Sequence, residues 1–137
     1  MQIAQDLAIR LPARAVVLLI GELGAGKTAF VRGLVQGVGG DPSQVTSPTF
    51  VLIQEYDALR TVYHADLFRL AAVAVEDLRP QLDELMERDG ILAIEWADRL
   101  IRPVIGAVRV HITDAGGDER AIDIDGEPGS GSEALPT

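Results

Sequence analysis

The sequence predicts an α/β sandwich in which a mixed, mostly parallel sheet is flanked by helices. Three observations predict it. Strand-like and helix-like segments alternate along the chain. Residues 15–20 and 91–96 are apolar along most of their length, which is typical of strands buried on both faces. Residues 27–38 carry apolar side chains at helical spacing, which predicts a helix that packs one face on the sheet.

The elements of the first half follow in order. Residues 3–11 predict a short helix, because their apolar side chains recur at helical spacing and a proline follows. Residues 15–20 predict the first strand. The helix over 27–38 ends at a Gly-Gly pair. Residues 41–48 have the composition of a loop.

The second half contains a hairpin, a helix and further strands. Residues 49–56 and 61–67 predict two strands, and the short turn between them predicts antiparallel pairing. Residues 75–88 predict a helix whose start is delayed or bent by Pro80. Three later strands are predicted, over residues 91–96, 106–113 and 120–124.

Length and composition narrow the class of protein. The 137 residues suit one domain, predicted over 1–125, followed by a disordered tail over 126–137. The absence of cysteine excludes disulfides and thiolate metal sites. A formal net charge of −9 disfavours direct binding to nucleic-acid phosphates. Because no apolar run is long enough to span a membrane and no secretory signal is visible, we expect a cytoplasmic protein without membrane contact.

Residues 21–28 fit the pattern G-x-x-x-x-G-K-[ST] at every position. The glycines let backbone N–H groups approach a phosphate, and the helix that follows points its positive end at the same anion. Lys27 would contact the β- and γ-phosphates, and the Thr28 hydroxyl would ligate magnesium. Lys27 is also the only lysine among twelve basic residues, which indicates a position that requires an ammonium group. The pattern therefore predicts a P-loop NTPase-like sandwich that binds ATP and Mg²⁺.

Two carboxylates stand at the ends of predicted strands. Asp66 ends the segment TVYHAD, and Glu95 ends ILAIE. Open α/β sheets bind ligands at the carboxyl ends of their strands, and phosphate chemistry needs acids near the metal and the attacking oxygen. Each acid taken alone could equally be a surface residue just past a strand, so residue chemistry leaves the choice open.

Other polar and aromatic residues are weaker candidates. Thr46, Ser47 and Thr49 could supply a hydroxyl to the γ-phosphate or the metal, but residue chemistry alone favours a capped turn around the proline in this segment. His64 is interpreted as structural, because a lone histidine in a strand more often is. Trp96, the only tryptophan, is interpreted as a packing residue.

Four segments in this order resemble one family closely: GELGAGKTAFVRGL, TSPTFVLIQEY, VYHADLFRL and DGILAIEWADR. The P-loop is common to many families, whereas the ordered combination of S-P-T-[FY], H-x-D-L-[FY]-R-L and [IV]-E-W is much more specific. On these motifs the sequence resembles the TsaE family, also called YjeE, over residues 15–99. That family is the small ATPase of bacterial tRNA threonylcarbamoyladenosine biosynthesis.

The resemblance implies a role for each matching residue. Thr28 and Glu95 would lie at the magnesium ion, and Asp66 would be the acid that ATPase activity needs. Thr49 would match the switch-like threonine that faces the γ-phosphate, and Trp96 the tryptophan beside the metal-site glutamate. The nucleotide-binding residues would be Leu23, Gly24, Ala25, Gly26, Lys27, Thr28 and Asp98, the last at a position where the family often has Glu or Gln.

The resemblance also implies an activity and partners. We expect a weak Mg²⁺-dependent ATPase whose activity depends on TsaD and TsaB, the proteins that perform the tRNA chemistry. ATP binding and hydrolysis would reset that complex between turnovers. The acidic surface agrees with docking to a protein, so no stable binding of tRNA by the chain alone is expected.

Two other classes of protein remain as alternatives. A small P-loop kinase that transfers phosphate to a small molecule would need a lid with several arginines and an acceptor pocket. The span 69–91 is short for both, although it contains Arg79 and Arg88. A GTPase would need an N-K-x-D motif, which the chain lacks because its single lysine is Lys27.

Overall fold

The computed structural model describes residues 2–22, 24–46, 52–116 and 119–126. Within these ranges, helices and strands follow one another in the predicted order. Their bounds are Gln2–Arg10 (α1), Arg14–Ile20 (β1), Gly24–Gly37 (α2), Ile53–Tyr56 (β2), Val62–Asp66 (β3), Ala72–Met86 (α3), Gly90–Glu95 (β4), Val108–Gly116 (β5) and Glu119–Asp125 (β6), with short 3₁₀ turns at Pro42–Gln44 and Ala97–Arg99.

The strands form one sheet in the order β2-β3-β4-β1-β5-β6. The strand before the glycine loop, β1, pairs in parallel with β4 and β5, and β3 also pairs in parallel with β4. The outer strands β2 and β6 run antiparallel to their neighbours. The predicted mixed, mostly parallel sheet is confirmed, as is the antiparallel hairpin of β2 and β3.

Helices cover both faces of the sheet. α1 and α2 pack on one face and α3 on the other. Alternate residues of β1 enter the two layers: Val17 and Leu19 pack with α1 and α2, whereas Leu18 packs with α3. Burying such a side chain contributes about 1.5–3 kcal/mol, so a strand that is apolar on both faces belongs in the middle of this sheet.

Two helices differ from the predicted ones at their starts. α2 begins at Gly24, three residues before Lys27, because N–H groups in the first turn need no partners within the helix and glycine is tolerated there. α3 begins at Ala72 and continues through Pro80. Pro80 lies at an exposed position, where a carbonyl that loses its helical partner can bind water instead.

Some predictions fall beyond the part of the chain that the structure describes. The first residues of the strand predicted over 49–56, residues 49–51, lie outside it, and so does the tail after Gly126. In the described ranges no helix has the length and apolar character that crossing a membrane requires.

The parallel strands bring their carboxyl ends to one edge of the sheet. There β1 ends at Ile20, β3 at Asp66 and β4 at Glu95, and α2 begins after the loop that follows β1. Both acids end their strands as predicted. They occupy paired positions in β3 and β4, so the fold makes them neighbours.

Candidate nucleotide and metal site

The glycine loop depends on backbone that a side chain would obstruct. Gly21 has φ of +150°, and a Cβ added there would lie 2.2 Å from the carbonyl oxygen of Ile112 in β5. A Cβ on Gly26 would lie 3.1 Å from the Ile112 side chain. These glycines let β5 approach the loop closely, so packing alone already requires part of the motif.

Lys27 is fully buried behind this loop. Its ammonium group donates a hydrogen bond to the carbonyl oxygen of Gly21 and lies 4.0 Å from the centre of the Trp96 ring. Within the described ranges no carboxylate is close enough to form an ion pair with it. A cation held this way retains donor capacity for an incoming anion.

The electrostatics of Lys27 reflect its burial. Burial lowers the pKa of Lys27 from its ordinary value, and the charges of nearby acids oppose this shift without cancelling it. Glu95, Asp98 and Asp66 are the acids with the largest opposing effects. The site therefore combines a desolvated cation with several carboxylates at moderate distance.

Glu95 is the carboxylate at the centre of the site. The Thr28 hydroxyl donates toward both of its oxygens, at 3.0 Å to Oε2 and 3.2 Å to Oε1. The imidazole of His64 approaches the same Oε2, with Nε2 at 2.5 Å. All three side chains are buried. Thr28 and Glu95, which the motif and the resemblance assigned to the metal, thus lie side by side.

Asp66 lies beside Glu95 at the end of β3 and is only half-buried. Its Oδ1 accepts a hydrogen bond at 3.0 Å from the backbone N–H of Phe68. Burial raises the pKa of Asp66, and the negative charge of Glu95 adds to this effect against the Phe68 hydrogen bond. The carboxylate is held in place but can still be reached from solvent.

Trp96 is more than the packing residue that residue chemistry alone indicated. Its backbone has φ of +59°, in the left-handed region that non-glycine residues rarely adopt. This conformation follows directly after Glu95 and places one ring face over Lys27. The Phe68 ring lies 4.8 Å away, centre to centre. The Trp96 ring therefore lies against the ammonium group of Lys27.

The remaining candidate residues are Leu23, Gly24, Ala25, Thr49 and Asp98. Leu23 and Thr49 lie outside the described residues. Gly24 and Ala25 form the start of α2. Asp98 is exposed in the turn after Trp96, near enough for its charge to affect Lys27. Over the described ranges, no group of three or more His, Cys, Asp or Glu side chains is arranged to hold a metal by itself.

His64 makes a contact that the sequence does not predict. The sequence favours a structural role for this histidine, and the structure adds that its imidazole contacts the carboxylate of Glu95. One available signal was its spacing, because residues two apart in a strand share a face and His64 stands two residues before Asp66. The contact with Glu95 joins residues on two different strands, and spacing along one strand does not reveal it.

The arginines that kept the kinase alternative open lie within the α3 region. Arg79 is buried and donates to the carbonyl oxygens of Arg102 (2.7 Å) and Pro103 (3.1 Å) and to Asp83 (2.8 Å). Arg88 pairs with a glutamate one turn earlier in α3, at 2.8 Å. Arg79 joins α3 to the segment around Pro103, and Arg88 pairs with its own helix, so both side chains are engaged in contacts that stabilise the fold.

Two grooves border the sheet at opposite edges. One, of about 490 Å³, opens beside Gly21 and is lined partly by His111, Thr113 and Asp114 of β5. The other, of about 540 Å³, lies at the amino end of β4 beside Arg60. The guanidinium of Arg60 donates to backbone carbonyls in the last turn of α1 and in the residues after it, so the second groove surrounds a structural arginine.

The fold and the site together define a protein class. A buried parallel strand, a glycine loop and a helix whose first turns carry Lys27 and Thr28 form the core of a P-loop NTPase-like α/β protein. The family model described as "Threonylcarbamoyl adenosine biosynthesis protein TsaE" matches residues 1–122. The chain belongs to the TsaE family.

Individual relatives agree with this assignment. The chain is 43% identical over 102 residues to the tRNA threonylcarbamoyladenosine biosynthesis protein TsaE of Synechocystis, covering 72% of this chain and 64% of that protein. It is 42% identical over 110 residues to the Bacillus subtilis protein of the same name, covering 78% and 66%. The chain thus spans a little less than two thirds of the length of these relatives.

A solved structure agrees as well. The crystal structure of Bacillus subtilis YdiB superposes with a TM-score of 0.67 at 33% identity, covering 88% of this chain and 73% of that one. The similarity extends over most of the described fold, so the α/β class predicted from the sequence is confirmed.

Proposed function

We propose that this chain binds ATP and Mg²⁺ at the glycine loop and acts as a weak ATPase in the threonylcarbamoyladenosine modification of tRNA. Its partners would be TsaD and TsaB, and ATP hydrolysis would reset their complex between turnovers. Membership of the TsaE family supports the pathway. One structural observation supports the nucleotide and metal site. Four side chains come together at the carboxyl ends of the parallel strands: Lys27, Thr28, Glu95 and Asp66.

The donor set at this edge suits magnesium. Mg²⁺ prefers oxygen ligands, is commonly held by one or two protein oxygens together with phosphates, and keeps several waters. The Thr28 hydroxyl and the Glu95 carboxylate offer such oxygens 3.0 Å from one another. A site of this kind needs no cluster of three acids. When bound, the metal would neutralise charge on the phosphate oxygens.

The chain's own residues would divide the remaining work. Lys27 would move its ammonium group from the Gly21 carbonyl to the phosphates, supported by the positive end of α2. Asp66, partly open to solvent and fixed by the Phe68 N–H, would position the attacking water. The groove beside Gly21 offers space for the rest of the nucleotide.

The partial exposure of Asp66 supports the proposed dependence on partners. Asp66 is only half-buried, so water reaches the position where an attacking molecule would have to be held in one orientation. A docked protein that covers this edge would exclude bulk water and strengthen the electrostatic contacts. The net charge of −9 favours a protein partner over direct contact with tRNA phosphates.

The test compares ATP hydrolysis and tRNA modification with and without the partners. We expect slow hydrolysis by the chain alone, faster hydrolysis after addition of TsaD and TsaB from the same organism, and repeated rounds of modification only when the chain is present. The Lys27→Ala variant serves as the control, because it should abolish both effects. Rapid hydrolysis by the isolated chain, or repeated rounds of modification without it, would contradict the proposal.

A further inference from the structure

His64 makes a buried contact that the proposed function does not use. Its Nε2 atom lies 2.5 Å from Glu95 Oε2, and both side chains are almost completely inaccessible to solvent. We infer that His64 is a positioning residue, whose imidazole holds the Glu95 carboxylate in the orientation in which it faces Thr28 and the metal. The inference rests on the function proposed above, because it concerns the same metal site.

The carboxylate is held from two directions. Thr28 donates its hydroxyl from α2, and His64 approaches from β3. Glu95 is the last residue of β4, and its side chain is buried where these two elements meet. Two hydrogen bonds from different elements fix both the position and the rotation of the carboxylate.

The sheet register explains why a histidine on β3 can reach Glu95. Directly opposite His64 in the parallel pair lies Ala93, and Glu95 is the diagonal neighbour two residues further along β4. Diagonal neighbours on one face of a sheet lie within reach of long or aromatic side chains. The small side chain of Ala93 leaves room for the imidazole, and the Tyr56 ring lies 6.2 Å from it, centre to centre.

The contact with Glu95 also identifies which ring nitrogen of His64 donates. A carboxylate oxygen accepts, so Nε2 is the nitrogen that donates to Glu95. Among the described residues, Nδ1 has no hydrogen-bond partner, so in this part of the chain the contact with Glu95 is the hydrogen bond that holds the ring. The two side chains therefore orient one another.

This arrangement predicts a specific effect of losing the imidazole. Residues that orient a metal ligand typically contribute about 10- to 100-fold to metal affinity. Removing the His64 donor should therefore raise the Mg²⁺ concentration that the site needs. Nucleotide binding without metal should stay the same, because it depends on Lys27 and the loop.

The experiment measures binding of the ATP analogue AMPPNP by calorimetry, over a series of Mg²⁺ concentrations and in EDTA. In His64→Gln the amide nitrogen can replace Nε2, whereas in His64→Asn it falls near the position of Nδ1 and cannot reach Glu95. His64→Leu removes the donor altogether. Tyr63→Phe is the matched control, because it removes a hydroxyl from a buried side chain on the other face of β3.

We expect the wild type, His64→Gln and Tyr63→Phe to share one Mg²⁺ requirement. His64→Asn and His64→Leu should need about ten times more Mg²⁺ for the same affinity, with unchanged binding in EDTA. If the leucine variant does not fold, the Gln and Asn pair still decides the question. An unchanged Mg²⁺ requirement in the Asn variant, or an equal loss of binding in EDTA, would overturn the inference alone. A wild type that binds no AMPPNP with Mg²⁺ would overturn the proposed function as well.

Discussion

Replacing Lys27 with methionine separates two consequences of burying a lone ammonium group. Methionine keeps a flexible apolar side chain of similar length, so the packing of the buried stem is largely preserved. What is lost is the positive charge, with its hydrogen bond to Gly21 and its contact with the Trp96 ring. Nucleotide affinity and fold stability should then change in different directions.

The affinity should fall by a definite amount. A hydrogen bond to a charged group contributes about 1.5–3 kcal/mol, and about 1.4 kcal/mol corresponds to a factor of ten. Loss of the Lys27 contact with the phosphates should therefore weaken ATP binding by about 10- to 150-fold. The remaining affinity would come from the backbone of the loop and the positive end of α2.

The stability of the nucleotide-free protein should not fall. Burial lowers the pKa of Lys27 even though four nearby acids raise it, so the folded state disfavours the ammonium group relative to the unfolded chain. Between the lowered pKa and the ordinary value of 10.5, the unfolded state binds more protons, and the stability of the wild type rises with pH. The stability of the Lys27→Met variant lacks this rise, so any excess of its stability over that of the wild type should shrink at high pH.

The assays are calorimetric titration with ATP and thermal unfolding between neutral pH and pH 10. Arg14→Met is the control, because it also removes one positive charge but lies at the opposite end of β1 from the loop. Because salt screens the interaction between a charge at position 14 and phosphates at the loop, the ATP affinity of Arg14→Met should stay within about twofold of that of the wild type. A melting temperature for Lys27→Met that falls by more than about 5 °C would refute the reasoning, because it would mean that the ammonium group stabilises the fold.

Three further predictions concern neighbouring residues. Asp66→Asn should slow partner-stimulated hydrolysis about 100-fold or more. Its melting temperature at pH 7 should equal or exceed that of the wild type. The difference in melting temperature should disappear as the pH falls through the raised pKa of Asp66. A lower melting temperature of the variant at pH 7 would instead indicate a structural role. The fluorescence of Trp96 should change when ATP and Mg²⁺ draw the Lys27 ammonium from the ring, and an unchanged spectrum at saturation would count against that movement. Gly21→Ala should destabilise the fold by about 2–4 kcal/mol in urea unfolding. Gly106→Ala, where φ is +80° but no atom lies within 4 Å of the new Cβ, should cost only about 1 kcal/mol, and equal losses would argue against the clash with β5.

The amino-acid sequence was sufficient where structure and chemistry are local. The turn from β1 through the glycine loop to α2 is contiguous, and its pattern contains the physical requirements for approaching a phosphate. The apolar runs of β1 and β4 predicted strands buried on both faces for a similar reason, because an apolar side chain favours burial wherever the strand is placed. Helix starts were less well predicted, because glycine and proline propensities are weak beside tertiary packing, as α2 and α3 show.

Contacts between distant segments required the tertiary structure. Asp66 and Glu95 could each have been surface acids until the register of β3 against β4 made them neighbours. The hydrogen bond from His64 to Glu95 and the position of Trp96 over Lys27 likewise join residues far apart in the chain. Periodicity within one strand reports which face a residue occupies but not which residue of the next strand lies opposite. The sequence by itself therefore determined the loop and the strands around it, whereas strand pairing decided which side chains share the site.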